Sequence, residues 1–325
     1  MKKRIGTRSA LILSIYEIIF IVITSFMLVF YGPFINIKKT IVESAMTSFK
    51  HKYIVQLFLS NKKIHEILSE DKVKSIIQNK NDNIKLNLDH NSAIDRYDIK
   101  SNKFSGYLLV VHDPTRVKIG YTNKLGIRGQ LTSQIAKENS AVAAINAGGF
   151  VDRSSGGAGT GTGGQPSGVL MSGGSIKFND TKSNLEKINI VGLTEKGLLI
   201  VGKYNINEMK ALKIAEVVNF GPALIVNGEP TIKKGDGGWG IAPRTAIGQR
   251  SDGAILLLVI DGRRISSIGA SLKDVQNIML GYGAINSSNL DGGSSSTLYF
   301  NGKVINNPCD SLGERSVPCA FIVEK

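Results

Sequence analysis

The hydrophobic pattern divides the chain into three textures. From Ala10 to Tyr31 it is almost continuously apolar, with Glu17 its one charge. As a helix rising about 1.5 Å per residue, this run covers the roughly 30 Å hydrocarbon layer of a bilayer. Then apolar residues recur at helical spacing at Ile41, Ala45, Phe49, Tyr53 and Leu57, with Val42, Met46, Ile54 and Phe58 beside them. This predicts an amphipathic helix of about five turns, opened by the capping-box sequence Thr40-Ile41-Val42-Glu43. Ser60-Asn61 interrupts it, Ile64, Ile67 and Leu68 continue it briefly, and 79–91, rich in Asn, Asp and Lys, reads as a linker.

From about Phe104 the period shortens. β-like runs bounded by turn signals occupy Tyr107 to Val111, Ala141 to Ile145, Val169 to Met171, Ile188 to Gly192, Leu198 to Val201 and Ala223 to Val226. Others follow at Thr245 to Ile247, Ala254 to Ile260, Thr297 to Phe300 and Ala320 to Val323, with Asn227-Gly228 and Asn301-Gly302 as hairpin turns. Helices are fewer: Leu131 to Glu138, a segment around Glu208 to Val217, and Ser271 to Leu280, capped by Ser271 and Asp274 and ended by Gly281. The expected fold class is α+β: a transmembrane helix and helical stalk, then a hairpin-rich mixed β-sheet domain with a few helices. The expected boundaries are a cytoplasmic tail at 1–9, an anchor at 10–31, stalk and linker at 32–99 and the main domain at 100–325.

Lys2, Lys3, Arg4 and Arg8 precede the apolar run, so the positive-inside bias keeps the N-terminus cytoplasmic and the C-terminal domain extracellular. The run exceeds the roughly 7 to 15 apolar residues of a cleaved signal and meets Tyr31-Gly32-Pro33-Phe34 rather than small residues, which favours an uncleaved single-pass anchor in the cell membrane. The net charge of +14 is spread evenly, +7 over residues 1–100 and +7 over 101–325. This argues against a nucleic-acid groove, which needs clustered cations with interleaved aromatics, and suits an anionic envelope polymer. Cys309 and Cys319, the only cysteines, are ten apart, and an extracellular location permits a disulfide between them.

Two tempting motifs fail on context. Gly159-Thr160-Gly161-Thr162-Gly163-Gly164 has dinucleotide spacing, within a Ser/Gly/Ala/Thr loop at 154–164, but leads into another strand instead of a helix. The stretch from Ser287 to Gly292 has calcium-loop residues at some positions, but Ser287 and Leu298 at the first and twelfth exclude an EF-hand. The sequence requires no cofactor; calcium in another geometry stays open and no metal ligand set is assigned.

Four polar, Gly-rich turns close apolar strands: Asn146-Ala147-Gly148-Gly149-Phe150, Pro243-Arg244-Thr245-Ala246, Asp261-Gly262-Arg263, and Asn289-Leu290-Asp291-Gly292-Gly293-Ser294. Converging, they would offer carboxylates for acid or base work, an arginine for an anion and glycines that let a ligand approach the backbone. In content and order, these turns resemble the successive motifs of the phosphodiester glycosidase family. Asp113-Pro114-Thr115-Arg116-Val117 and Gly313-Glu314-Arg315-Ser316-Val317 extend the likeness over about residues 100 to 325, and the stalk resembles bacterial membrane-anchored members linked to exopolysaccharide. Ala147 departs from the glycine that many members carry there.

The resemblance implies cleavage between an anomeric carbon and phosphate in a phosphate-containing glycan or sugar phosphodiester. It implies Asp261 or Asp291 activating water or stabilising an oxocarbenium-like state, and Arg244 with Arg315 holding phosphate. Asn146, Gly148, Gly149, Thr245, Gly292, Gly293 and Ser294 become the expected substrate contacts. The rival reading is a non-catalytic binder of phosphate-containing cell-wall polysaccharide on the same fold.

Overall fold

The computed structural model describes residues 7–46, 52–69, 73–78, 84–86, 91–151, 153–154, 157–158 and 161–325. The chain divides into two compact units, Met1–Glu70 and Asp71–Lys325.

In the first unit, helix α1 (Thr7–Tyr31) contains the stretch Leu11–Tyr31, the one helix among the described residues long and apolar enough to cross a membrane. Gly32-Pro33 ends it, since proline cannot continue the helical ladder. Helix α2 (Ile35–Met46) then starts five residues before the capping-box sequence at Thr40, because the Phe34 carbonyl already accepts the Lys38 N–H at 3.0 Å. The expected single stalk helix is two pieces, α2 and α3 (Lys52–Phe58), with 47–51 outside the described residues. As expected, Ser60-Asn61 separates α3 from α4 (Asn61–Ser69). Phe30, Val42, Val55, Leu59, Ile64 and Ile67 form a small core, and Phe58 stacks on Phe30 at 4.7 Å and Phe26 at 5.4 Å.

The second unit has three large sheets around a shared core, with two two-stranded ribbons, Gln130–Leu131 with Ser316–Val317 and Arg153–Ser154 with Gly157–Ala158, among the described residues. The largest runs in the order Ile94–Lys100, Ser105–Val111, Ile255–Ile260, Arg244–Arg250, Ala284–Leu290, Ala223–Val226, Glu229–Pro230. A second orders Leu199–Tyr204, Ile188–Thr194, Ile214–Asn219, Val169–Ser172, Ser175–Asn179. The third orders Lys303–Val304, Leu298–Phe300, Ala143–Asn146, Cys319–Val323, Val117–Tyr121. Every ladder named here is antiparallel, so the expected mixed sheet is a set of antiparallel ones.

Strand periodicity sends alternate side chains to opposite faces, and both faces are used. Leu257 and Val259 face the shared core with Val191 and Val201 of the second sheet and Ile145 and Phe321 of the third. On the other face Leu256, Leu258 and Ile260 meet Leu272, Val275 and Met279 of helix α7 (Leu272–Gly281). Helix α5 (Thr132–Glu138) covers the outside of the third sheet with Ile135 and Ala136, and α6 (Ile206–Ala211) covers the second with Ile206 and Met209. Double-sided burial explains why Ile255–Ile260 reads as an unbroken apolar run.

The second unit begins before residue 100. Gln78 donates to Leu199 O at 2.9 Å and accepts the Val201 N–H at 2.8 Å, and Lys85 N–H reaches Ser251 O at 2.8 Å, so the described parts of the supposed linker are docked. The segment 214–217, expected as helix, is strand, because Lys213 at φ 53° ends α6 and Ile214, Val217 and Val218 suit a pleated surface. The calcium-like stretch at Ser287 to Asn289 is a buried strand.

Candidate active site

Three neighbouring strands of the large sheet end at one pole. Arg244 pairs with Ile260 and Thr245 with Leu290, so the start of Arg244–Arg250 lies between the ends of Ile255–Ile260 and Ala284–Leu290. That register brings Pro243-Arg244, Asp261 and Asp291 together from positions far apart in sequence. Asn146, ending a strand of the third sheet, ties the sheets: its Nδ2 donates to Asp291 O at 2.5 Å, and its Oδ1 accepts from Thr245 Oγ1 at 2.9 Å and Thr297 N at 3.1 Å. The Asp291 N–H returns to Ala147 O at 3.0 Å.

Not all the expected residues face outward. Asn146 and Thr245 are fully buried and bond each other, so they brace the Asp291 loop from beneath. Gly149 and Gly293 commit their N–H groups to Asn219 O and Pro243 O. Glycine at 292 and 293 answers close packing: a Cβ on Gly292 would stand 2.8 Å from Pro243 O, and Gly293 has φ +63°.

Arg244 is buried, with Nε donating to Ala270 O at 3.0 Å and Nη2 to Trp239 O at 2.9 Å and Gly240 O at 2.6 Å. Desolvation lowers its pKa to about 10, the Arg263 charge adding to the shift and Asp236 opposing it. These bonds make it a clamp on the loop that carries Trp239. Asp261 is equally buried: Oδ1 accepts from Asn306 Nδ2 at 3.0 Å and Asn307 N at 2.9 Å, anchoring the 305–315 loop.

What lines the mouth is half-exposed. Asp291, Gly292, Gly293 and Ser294 form its floor, and Ser294 Oγ accepts from Arg315 Nη1 at 3.1 Å. The Arg315 guanidinium lies over the Phe150 ring at 5.3 Å. A Cβ on Gly293 would stand 3.2 Å from Arg263 Nη2, so a second cation borders the loop. Next to Phe150, Phe220 packs against Gly149 and meets Trp239 edge to face at 6.0 Å. Cations and aromatic rings thus gather around the Asp291 loop. Arg263, Phe220 and Trp239 were not among the expected contacts; the chain's single tryptophan in a Gly-rich loop was the available signal.

Cys309 and Cys319 are free thiols, correcting the expected disulfide. Cys319 points toward Gly148 within the sheet core, whereas Cys309 sits on an outer loop 3.9 Å from Arg263 Nη1. Burial pushes the Cys319 pKa up to about 12; the Gly148 N–H opposes this shift and the Asp291 charge adds to it. Among the described residues no group of His, Cys, Asp and Glu could hold a metal ion.

The family model for phosphodiester glycosidases matches residues 139–324, more than half of the chain. The chain belongs to the phosphodiester glycosidase family. It is 47% identical over 75 residues to the SPbeta prophage-derived uncharacterized protein YomE of Bacillus subtilis, covering 23% of this chain and 12% of that protein. It is 33% identical over 79 residues to N-acetylglucosamine-1-phosphodiester alpha-N-acetylglucosaminidase of Bos taurus, covering 24% of this chain and 15% of that one. The matched stretches thus span under a fifth of either relative. The zebrafish N-acetylglucosamine-1-phosphodiester alpha-N-acetylglucosaminidase catalytic domain, auto-inhibited by its pro-peptide, shares the fold with TM-score 0.60 at 20% identity, over 74% of this chain and 86% of that one.

Proposed function

We propose that this phosphodiester glycosidase hydrolyses a glycosyl phosphodiester in extracytoplasmic envelope or exopolysaccharide glycans, held at the membrane by α1. The observation that carries the reading is the grouping around the Asp291 loop of two cations, Arg263 and Arg315, with the rings of Phe150, Phe220 and Trp239. A sugar 1-phosphodiester offers the matching pair, an apolar ring face joined to an anion. The sugar lies on the aromatic rings, and Arg315 with Ser294 Oγ holds the phosphate.

In this arrangement Asp291 is the reacting carboxylate, activating water or stabilising the oxocarbenium-like centre. The departing phosphate monoester is a better leaving group than an alcohol, so the cations supply most of the help it needs. Asp261 and Arg244 keep the surrounding loops in place. The test is hydrolysis of a panel of sugar 1-phosphodiesters in heavy-oxygen water. Label in the sugar hydroxyl is the expected result; label in phosphate would identify a phosphoryl-transfer enzyme, and binding without release would favour the polysaccharide binder.

A further inference from the structure

The loops around the mouth carry aliphatic side chains in open water. Ile265 is 105% exposed, Leu312 92%, Ile127 73% and Leu185 70%. Isolated exposed aliphatics are ordinary, but Ile127, Ile265 and Leu312 sit on three loops that contact one another or the strand beyond Arg315. The 261–270 loop abuts Gly293 through Arg263, and Arg264 Nη2 ties it to Pro308 O of the 305–315 loop at 3.1 Å. The 122–130 loop packs on Val317 through Gly129, two residues beyond Arg315. The loop holding Leu185 starts where Asp180 N–H reaches Gly168 O at 3.0 Å and ends at Asn189, which accepts the Asn219 side-chain N–H at 2.6 Å beside Phe220.

Charge accompanies two of the apolar tips. Lys124 and Arg128 flank Ile127, and Arg264 precedes Ile265; all three cations are exposed, 122–130 contains no acidic residue and the one in 261–270, Asp261, is buried, whereas Leu312 lies between Asp310 and Glu314. Aliphatic tips beside cations match the boundary of an anionic bilayer, where acyl chains lie under phosphates. Helix α1 places a membrane within reach of the same chain, so the tether raises the local concentration of that surface.

We propose that this rim is a membrane-docking surface: Ile127, Ile265 and Leu312 enter the headgroup boundary of an anionic bilayer while Lys124, Arg128 and Arg264 meet its phosphates. The mouth then opens at the bilayer surface. Docking is independent of the reaction, so an inactive protein still tests it.

The full chain is reconstituted in nanodiscs of phosphatidylglycerol brominated on its acyl chains, in a Trp239→Phe background with single Ile127→Trp, Ile265→Trp or Leu312→Trp substitutions. Ile77→Trp, beside the docked Gln78 and 83% exposed, is the control. The expected result is fluorescence quenching at least twofold greater at the three tips than at position 77, weakened in brominated phosphatidylcholine. Equal quenching at all four positions, or none at the tips, overturns the proposal. Quenching of the tips by monomeric brominated lysolipid but not by the nanodisc would assign the rim to a single-chain ligand and likewise overturn docking. In the unsubstituted chain, amide exchange at 263–268 and 310–313 slows on phosphatidylglycerol relative to phosphatidylcholine; unchanged exchange counts against docking.

Discussion

Arg244 illustrates how burial decides a residue's work. Its turn was legible in the sequence as a cation at a strand end, but its direction was not, because sequence does not reveal which main-chain carbonyls a distant loop leaves without donors. Here the carbonyls of Trp239 and Gly240 accept from Nη2, and Ala270 O, which also accepts the Ala242 N–H at 3.2 Å, accepts from Nε. Leaving buried carbonyls without donors costs about 1–3 kcal/mol each. Arg244→Ala is therefore expected to lose about 2 kcal/mol or more, read as a lower urea midpoint at constant m-value. A variant of unchanged stability that had lost phosphate affinity would return Arg244 to the ligand. Asp261 and Asp291 divide the same way: the sequence offered two equivalent carboxylates, and only packing shows one anchoring a loop and the other at the mouth.

Among the elements, the 305–315 loop sets the cation. Its Glu314 accepts the Ser133 N–H at 3.0 Å and the Ser133 hydroxyl at 2.5 Å, fixing the loop to the first turn of α5, whose N–H groups lack helical partners. Glu314 is thus a positioning residue for Arg315. Glu314→Ala is expected to raise KM about tenfold with kcat little changed, a loss of about 1.4 kcal/mol of positioning; unchanged KM would refute the role. Element legibility followed burial. The apolar run ending at Ile260 and the Ser271 cap of α7 were readable, since both are local signals. The strand Ile94–Lys100 was not, because an edge strand with Asp95, Arg96 and Asp98 facing water carries little apolar alternation. Nor was Ala284–Leu290, whose buried Ser287 depends on bonding to Ile247 O at 2.9 Å from the next strand.

For the whole molecule, three antiparallel sheets share a core, and Glu216 links two of them. Its carboxylate accepts the Ile119 N–H at 2.9 Å from the third sheet and the Gly173 N–H at 3.1 Å from the second. Desolvation raises its pKa above the usual 4.5 despite those bonds. The folded protein therefore keeps this proton to higher pH than the unfolded chain, and the group's contribution is present below about pH 4.5 and lost as pH rises through the folded value. The stability difference between wild type and Glu216→Gln should fall with rising pH across that window and then level; a flat difference in urea midpoints from pH 4 to 8 would contradict it. The α+β class and the convergence of the Gly-rich turns were legible in the sequence, but the partnerships that create the mouth were not, since they join strands that are not hairpin neighbours and, at Asn146 and Asp291, residues 145 positions apart. The central claim is that Asp291 reacts at the mouth they create. Turnover of a sugar 1-phosphodiester by Asp291→Asn, shown to be folded, is the most direct test: a loss of at least about a hundredfold in kcat is predicted, and wild-type turnover would contradict the account.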